Sequence, residues 1–100
     1  MKFLLIGNQV GPATSHKDQI NYLEATKHWV NTRLAEGTLE SAYSFPAGGG
    51  FFIANADSHE DLMKIIVDFP LRPLSDFEVH VISDFNQSTD IVIESIKDLV

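Results

Sequence analysis

The chain has 100 residues, 44% of them hydrophobic, and a formal net charge of −7, which predicts one domain over residues 1–100 with a core of its own. The few Lys and Arg side chains argue against a nucleic-acid partner, because phosphate binding needs clustered cations. The absence of cysteine leaves no disulfide, thiolate or cysteine-based metal chemistry, which suits a cytoplasmic protein.

The N-terminal residues predict a central strand. Over residues 2–10, apolar side chains occupy both alternating sets, with Phe3 and Leu5 against Leu4 and Ile6. Such a strand is covered on both faces. The apolar stretch is too short for a signal sequence or a membrane span, so no membrane partner is expected.

A long helix is predicted next. Residues 11–13 break the strand, and Thr14 or Ser15 is placed to cap a helix. The helix should run to about Glu36, because Gly37 is placed to end it.

Three further strands and a second helix follow. Strands are predicted over residues 38–45, 51–56 and 77–81, with a hairpin turn at 46–49. Asp57 or Ser58 caps a helix that Pro70 ends. The order strand, helix, strand, strand, helix, strand is the ferredoxin-like α+β arrangement, with a four-stranded antiparallel sheet.

Residues 84–100 form a C-terminal extension. Ser88 is a candidate cap for a short helix that buries Val92, Ile96 and Leu99.

The strands also predict assembly. The helices of this fold cover one face of the sheet, yet residues 51–54 and 77–81 leave no clearly hydrophilic face. A second copy packed sheet to sheet covers the other face and makes a homodimer or a higher homo-oligomer. The alternative cover is the extension at residues 84–100.

Several motifs between residues 27 and 81 carry a family resemblance. They are Glu36-Gly37-Thr38 before a strand, GGGFFI, an acidic cap with a serine, the helix HEDLMKII, and FPLRPLSDFEVHV. This pattern resembles the muconolactone isomerase-like group of small α+β barrel proteins. The resemblance implies a dimeric barrel and a small cofactor-free isomerase that shifts a proton in a small lactone, organic acid or enolisable carbonyl compound.

The first helix carries the leading candidates for chemistry. At about 100° per residue, one stripe holds His16, Ile20, Leu23, Lys27, Val30 and Leu34. We expect the Lys27 stem to be buried, with its ammonium in a pocket between helix and sheet. The alternative is a structural lysine whose charge reaches the rim. The resemblance places a lysine of the isomerases at Lys27, although His28 replaces the acidic residue that follows it there.

The catalytic set predicted on this basis is Lys27, His16 and His80. Lys27 stabilises the enolate, and either histidine is the base. Glu78 shares a strand face with His80 and is a candidate substrate ligand, although a structural His–Glu pair explains them equally well. Tyr43 is a second candidate ligand, with a core or interface position as the alternative.

Trp29 is predicted on the opposite side of the first helix from Lys27, together with Tyr22 and Arg33. An exposed tryptophan there indicates a contact with another subunit or with the C-terminal extension.

Cofactor and metal motifs are not evident. The glycines at 48–50 lack phosphate-loop spacing and predict a turn. His16, His28, His59 and His80 lack the spacing of paired metal ligands. We therefore expect neither a cofactor nor a metal.

Two rival functions remain. One is a non-catalytic dimeric module that binds a small ligand, favoured by a pocket packed solid with apolar side chains. The other is a cofactor-free monooxygenase acting on a polycyclic phenol, which the resemblance includes and which needs a roomier apolar pocket.

Overall fold

The structure is a computed structural model that describes residues 1–9, 11 and 15–100. Its elements are β1 (Lys2–Gln9), α1 (His16–Glu36), β2 (Leu39–Ser44), β3 (Gly50–Asn55), α2 (His59–Asp68), a 3₁₀ turn (Arg72–Leu74), β4 (Ser75–Ile82) and α3 (Phe85–Lys97). The strands form one antiparallel sheet in the order β2-β3-β1-β4. The predicted ferredoxin-like α+β fold with a C-terminal helix is confirmed.

Side-chain caps fix where the first two helices begin. Ser15 Oγ accepts from the Asp18 amide at 3.2 Å, and Ser58 Oγ accepts from the Asp61 amide at 3.1 Å. Each serine satisfies an amide that has no partner within its helix. Gly37 ends α1 with a φ of 82°, a left-handed conformation that suits glycine. The predicted strand end at Val10 and the alternative cap Thr14 lie outside the described residues.

The strand register assigns every second side chain to one of two sheet faces, because directly paired residues project on the same side. Phe3 and Leu5 of β1 pair with Ala54 and Phe52 of β3 and face α1 and α2. We call this side the helix face. Its buried core consists of Phe3, Leu5, Trp29, Leu39, Ala54, Ala56, Leu62 and Phe69.

The other side of the sheet, which we call the open face, is apolar on the two central strands, whereas the edge strand β4 contributes Glu78 and His80. Leu4 and Ile6 of β1 pair with Ile53 and Phe51 of β3 on this side. The helices α1 and α2 lie across the opposite face, so they leave these four side chains without a covering layer. The two-sided apolar pattern of β1 is thus present, and among the described residues of the single chain no layer covers one of its two faces.

Trp29 is placed differently from the sequence prediction. Its side chain is 9% exposed, and its ring lies 5.3 Å from Phe69 and 6.2 Å from Phe52 between centroids. Trp29 therefore belongs to the core, and the predicted exposed patch is wrong at this position. The helical periodicity did not predict the burial of Trp29, because α1 packs against α2 as well as against the sheet. A larger part of the helix circumference is therefore buried than one stripe indicates.

The C-terminal extension also differs. Asp84, and not Ser88, caps α3, since its carboxylate accepts from the Gln87 amide at 3.0 Å. All the large apolar side chains of α3 are at least 45% exposed, so the expected burial of Val92 and Ile96 is wrong for the single chain, as is that of Leu99 beyond the helix. The radius of gyration of 17.0 Å exceeds the value of about 13 Å typical of a compact chain of this length.

Across residues 1–9, 11 and 15–100, none of the helices combines the length and apolar character that spanning a bilayer requires.

Candidate functional site

A cavity of about 430 Å³ lies between α1 and the helix face of the sheet. Among the described residues it is lined by Gly7, Asn8, Gln9, Leu23, Thr26, Lys27, Val30, Asn31, Ala42, Tyr43, Ser44, Gly49, Gly50, Phe52, Phe69, Leu71, Ser75 and Phe77. This volume suits a small organic ligand.

The cavity exists because the two central positions of one row of the sheet are glycines. The register places Ser44, Gly50, Gly7 and Phe77 side by side across β2, β3, β1 and β4. The neighbouring row carries Phe52 and Leu5 at its centre. Two adjacent glycines therefore leave no side chains at the centre of this row, and their backbone forms the cavity floor together with the Phe77 ring.

Aromatic rings form the inner wall. The Phe69 ring lies 5.6 Å from Phe52 and 5.3 Å from Phe77 between centroids, in edge-to-face arrangements. Trp29 supports Phe69 from behind. Rings packed edge to face restrict one another's rotation and present a rigid apolar surface.

The remaining rim is polar. Amides come from Asn8, Gln9 and Asn31, and hydroxyls come from Thr26, Ser44 and Ser75. Lys27 adds a positive charge, and no carboxylate among the lining residues neutralises it. A rigid apolar wall facing a cation and neutral hydrogen-bonding groups favours a small anion with an apolar body.

Lys27 lines the cavity but is exposed in the single chain. The expected burial of its stem is not found, since its neighbour Leu23 is itself 53% exposed. The first ten residues of α1, from His16 to Ala25, are all exposed, so this half of the helix extends past its packing partners.

The other predicted site residues lie elsewhere. His16 is the first residue of α1 and is exposed, away from the cavity lining. His80 and Glu78 lie on the open face, with 3.3 Å between His80 Nε2 and Glu78 Oε1. The sheet separates them from Lys27, so the structure does not bring the predicted catalytic set together in one chain.

Tyr43 is among the lining residues, yet its ring belongs to the open face. It stacks on Phe51 with 5.3 Å between centroids, and the register pairs these two residues. Its hydroxyl-bearing side chain, 63% exposed, therefore points away from Lys27.

The shifted pKa values lie outside the cavity. Hydrogen bonds from Trp29 and Arg33 lower the pKa of Asp68, and the hydrogen bond to Asp68 raises the pKa of Arg33. At the other end of the sheet, the hydrogen bond from Lys2 lowers the pKa of Glu40. These groups connect elements of the fold. They do not mark a catalytic centre.

Within the part of the chain that the structure describes, no three His, Asp or Glu side chains gather as a metal site would require.

The fold and cavity define a small ferredoxin-like α+β protein with a ligand-sized site between its first helix and sheet. Muconolactone isomerase has a similar solved structure, with a TM-score of 0.71 and 21% identity over 84% of this chain and 90% of that chain. The 5-chloro-2-hydroxyhydroquinone dehydrochlorinase of Burkholderia phenoliruptrix, solved with 2,5-dihydroxybenzoquinone, is also similar. Its TM-score is 0.67, with 14% identity over 87% of this chain and 98% of that chain. The resemblance to the muconolactone isomerase-like group is confirmed at the level of fold. No family model and no curated protein matches the sequence.

Sequence reasoning found Lys27 but missed most of the rim and the floor. A mid-strand glycine at position 7 was an available signal, because glycine in a strand marks a bulge or a close approach. Asn8 and Asn31 gave no signal of their own, since a polar residue near the end of a strand or on one side of a helix is ordinary.

Proposed function

We propose that the protein is a small enzyme that binds an oxygenated cyclic anion at this cavity and promotes a proton shift next to a carbonyl group without a cofactor. The observation that supports this most directly is Lys27, a cation that lines the same cavity as three phenylalanine rings, with no carboxylate among the described lining residues. An enolate that forms beside Lys27 gains electrostatic stabilisation that the neutral ketone does not. The fold shared with muconolactone isomerase agrees with this chemistry.

The roles follow from the lining. Phe52, Phe69 and Phe77 hold the apolar body of the substrate, and Asn8 and Asn31 donate hydrogen bonds to its oxygens. Lys27 is the ionisable group that we assign to the enolate oxygen. Water at the open rim takes up the proton from the carbon next to the carbonyl group, and water returns a proton to the enolate, because the described lining residues include no carboxylate or imidazole. His16 and His80 are not assigned a role, because neither lines the cavity.

A non-catalytic binding module of the same fold is the second candidate. It is favoured by one observation: the described lining residues include no carboxylate and no imidazole that would serve as a conventional base. The aromatic wall alone would then hold the ligand.

Solvent deuterium exchange separates the two functions. The protein is incubated with muconolactone in D₂O, and the proton next to the carbonyl is followed by nuclear magnetic resonance. The proposal predicts exchange well above the buffer rate, lost in Lys27→Met and kept in the control Lys64→Met, a lysine on α2 that is 80% exposed. A ligand that binds without any exchange would support the module.

We further propose a homodimer formed through the open face. Leu4, Ile6, Phe51 and Ile53 lie on this face without a covering layer. The alternative cover, α3, is not packed over them, because its own apolar side chains are exposed. A stable pair buries about 1,200–2,000 Å² in total, and a four-stranded sheet face is the surface of this chain best suited to supply it.

A further inference from the structure

Gly7 occupies a position where the backbone itself does not require glycine. It lies in the middle of β1, paired with Gly50 and Phe77, and its φ is not positive. Alanine is more stable than glycine in a strand interior. The local geometry therefore gives no reason for glycine, and the reason has to come from the neighbours of the position.

Those neighbours are the atoms of one aromatic ring. A β-carbon added to Gly7 would lie 3.1 Å from Phe77 Cε1, with two further atoms of the same ring at 3.6 and 3.7 Å. All three contacts are to a side chain, and that side chain lines the cavity. The Phe77 ring thus lies over the bare Cα of Gly7, and an alanine would push it towards the cavity or away from its place.

Gly50 provides the contrast. A β-carbon there would lie 2.4 Å from the Tyr43 carbonyl oxygen, which is a backbone atom of the neighbouring strand. The close approach of the neighbouring strand therefore explains why position 50 is a glycine. Of the two glycines on the cavity floor, Gly7 is therefore the one whose lack of a side chain leaves room for the cavity-lining ring of Phe77.

We propose that Gly7 is a specificity-determining residue: it lets the Phe77 ring lie close to the sheet, which sets the depth of the cavity and so admits a planar ring above Phe77. This inference rests on the proposed function, since it concerns the ligand that Lys27 holds. A planar ring needs the floor as well as the cation, whereas a short anion reaches Lys27 alone.

Calorimetric titration with two probes tests this. The ring probe is 2,5-dihydroxybenzoquinone and the short probe is oxalate, both of which are anions near neutral pH. Gly7→Ala should weaken the ring probe at least tenfold and change the oxalate affinity by less than twofold. In a Phe77→Leu background, Gly7→Ala should cost the ring probe much less affinity than it does in the wild type, because the smaller side chain leaves room for the added carbon.

Val79→Ile is the matched control. It adds one carbon to the same sheet face, one row away and outside the cavity lining, at a residue 43% exposed. It should leave both affinities unchanged. The unfolding midpoint of Gly7→Ala should stay well above the temperature of the titration, so that a lost ring affinity belongs to the folded protein.

Equal ring affinity in the wild type and Gly7→Ala would overturn the role of Gly7 and leave the proposed function standing. An equal loss of affinity for both probes would also overturn the role of Gly7, because the alanine would then act on the whole site. If the wild type bound neither probe, the proposed anion site would fall and this inference with it.

Discussion

Trp29 Nε1 donates a 2.9 Å hydrogen bond to Asp68 Oδ2 and thereby connects the middle of α1 to the last residue of α2. Arg33 reinforces the connection, with its guanidinium 2.5 Å from the same oxygen and its Cζ 5.4 Å from the Trp29 ring centroid. The two helices that cover the sheet are held together at this point, and the aromatic wall of the cavity lies directly beneath it.

Trp29→Phe should lower the free energy of unfolding by about 1–2 kcal/mol. Phenylalanine keeps most of the contact with Phe52 and Phe69 but removes the donor to Asp68. Urea unfolding checks this as a shift in midpoint at unchanged slope. Tyr22→Phe is the control on an exposed part of α1 and should shift the midpoint little. A wild-type midpoint in Trp29→Phe would show that the hydrogen bond adds nothing.

Asp68 should make stability depend on acid pH. Its pKa in the folded protein is lowered, chiefly by the hydrogen bond from Trp29 and then by that from Arg33. The unfolded chain therefore binds this proton more readily, so the contribution is present above the unfolded pKa of about 3.9 and is lost as the pH falls through the lower folded value. Asp68→Asn should reduce the dependence of the free energy of unfolding on pH in this acid range. An unchanged pH profile would contradict the assignment, and because Asp68 is 55% exposed we expect a modest effect.

Lys27→Met should separate ligand chemistry from stability. The methionine keeps much of the apolar volume and removes the charge, so the unfolding midpoint should stay the same or rise slightly. Affinity for 2,5-dihydroxybenzoquinone should fall at least tenfold, which corresponds to about 1.4 kcal/mol. Lys64→Met should keep full affinity. Equal affinity in Lys27→Met and the wild type would remove Lys27 from the site.

Light scattering at micromolar concentration should report twice the chain mass of 11.1 kDa. Ile6→Lys should produce monomers, because it places a charge at the centre of the open face, where Glu78 is its neighbour in a single chain. Val67→Lys puts the same charge on α2 at a residue 52% exposed and should remain dimeric. A monodisperse monomer for the wild type would contradict sheet-to-sheet pairing.

Any turnover should survive exhaustive dialysis against a chelator. We assign the chemistry to Lys27 and neutral donors, which need no metal. The check is the rate of deuterium exchange into muconolactone before and after dialysis. Loss of the rate, restored by adding a divalent metal, would overturn the cofactor-free mechanism.

The fold was predictable because its signals are local. Ser58 and Pro70 mark the ends of α2, Gly37 ends α1, and the alternation in residues 77–81 marks β4. Periodicity and turn chemistry act within a few residues, so each element could be assigned from its own stretch of sequence.

The site was only partly predictable because it depends on long-range register. Lys27 was found from a helical stripe, but the position of Trp29 depends on contacts distant in sequence, such as the ring of Phe69 and the hydrogen bond to Asp68, 39 residues away. The cavity floor brings together positions 7, 44, 50 and 77 through strand pairing. No single stretch of sequence indicates that two of these positions are glycines on neighbouring strands. The same strand pairing places His80 on the opposite side of the sheet from Lys27.

The two apolar sets of β1 have a consequence for folding errors. If β1 slipped by one residue against its neighbours, Leu4 and Ile6 would exchange places with Phe3 and Leu5, and hydrophobic burial would change little. Gly7 would then leave the row of Gly50 and Phe77, and a residue with a side chain would fill the cavity. A chain slipped in this way would bury its core yet could not hold a ligand, and a ligand that binds only the correct pairing would shift the population towards that pairing.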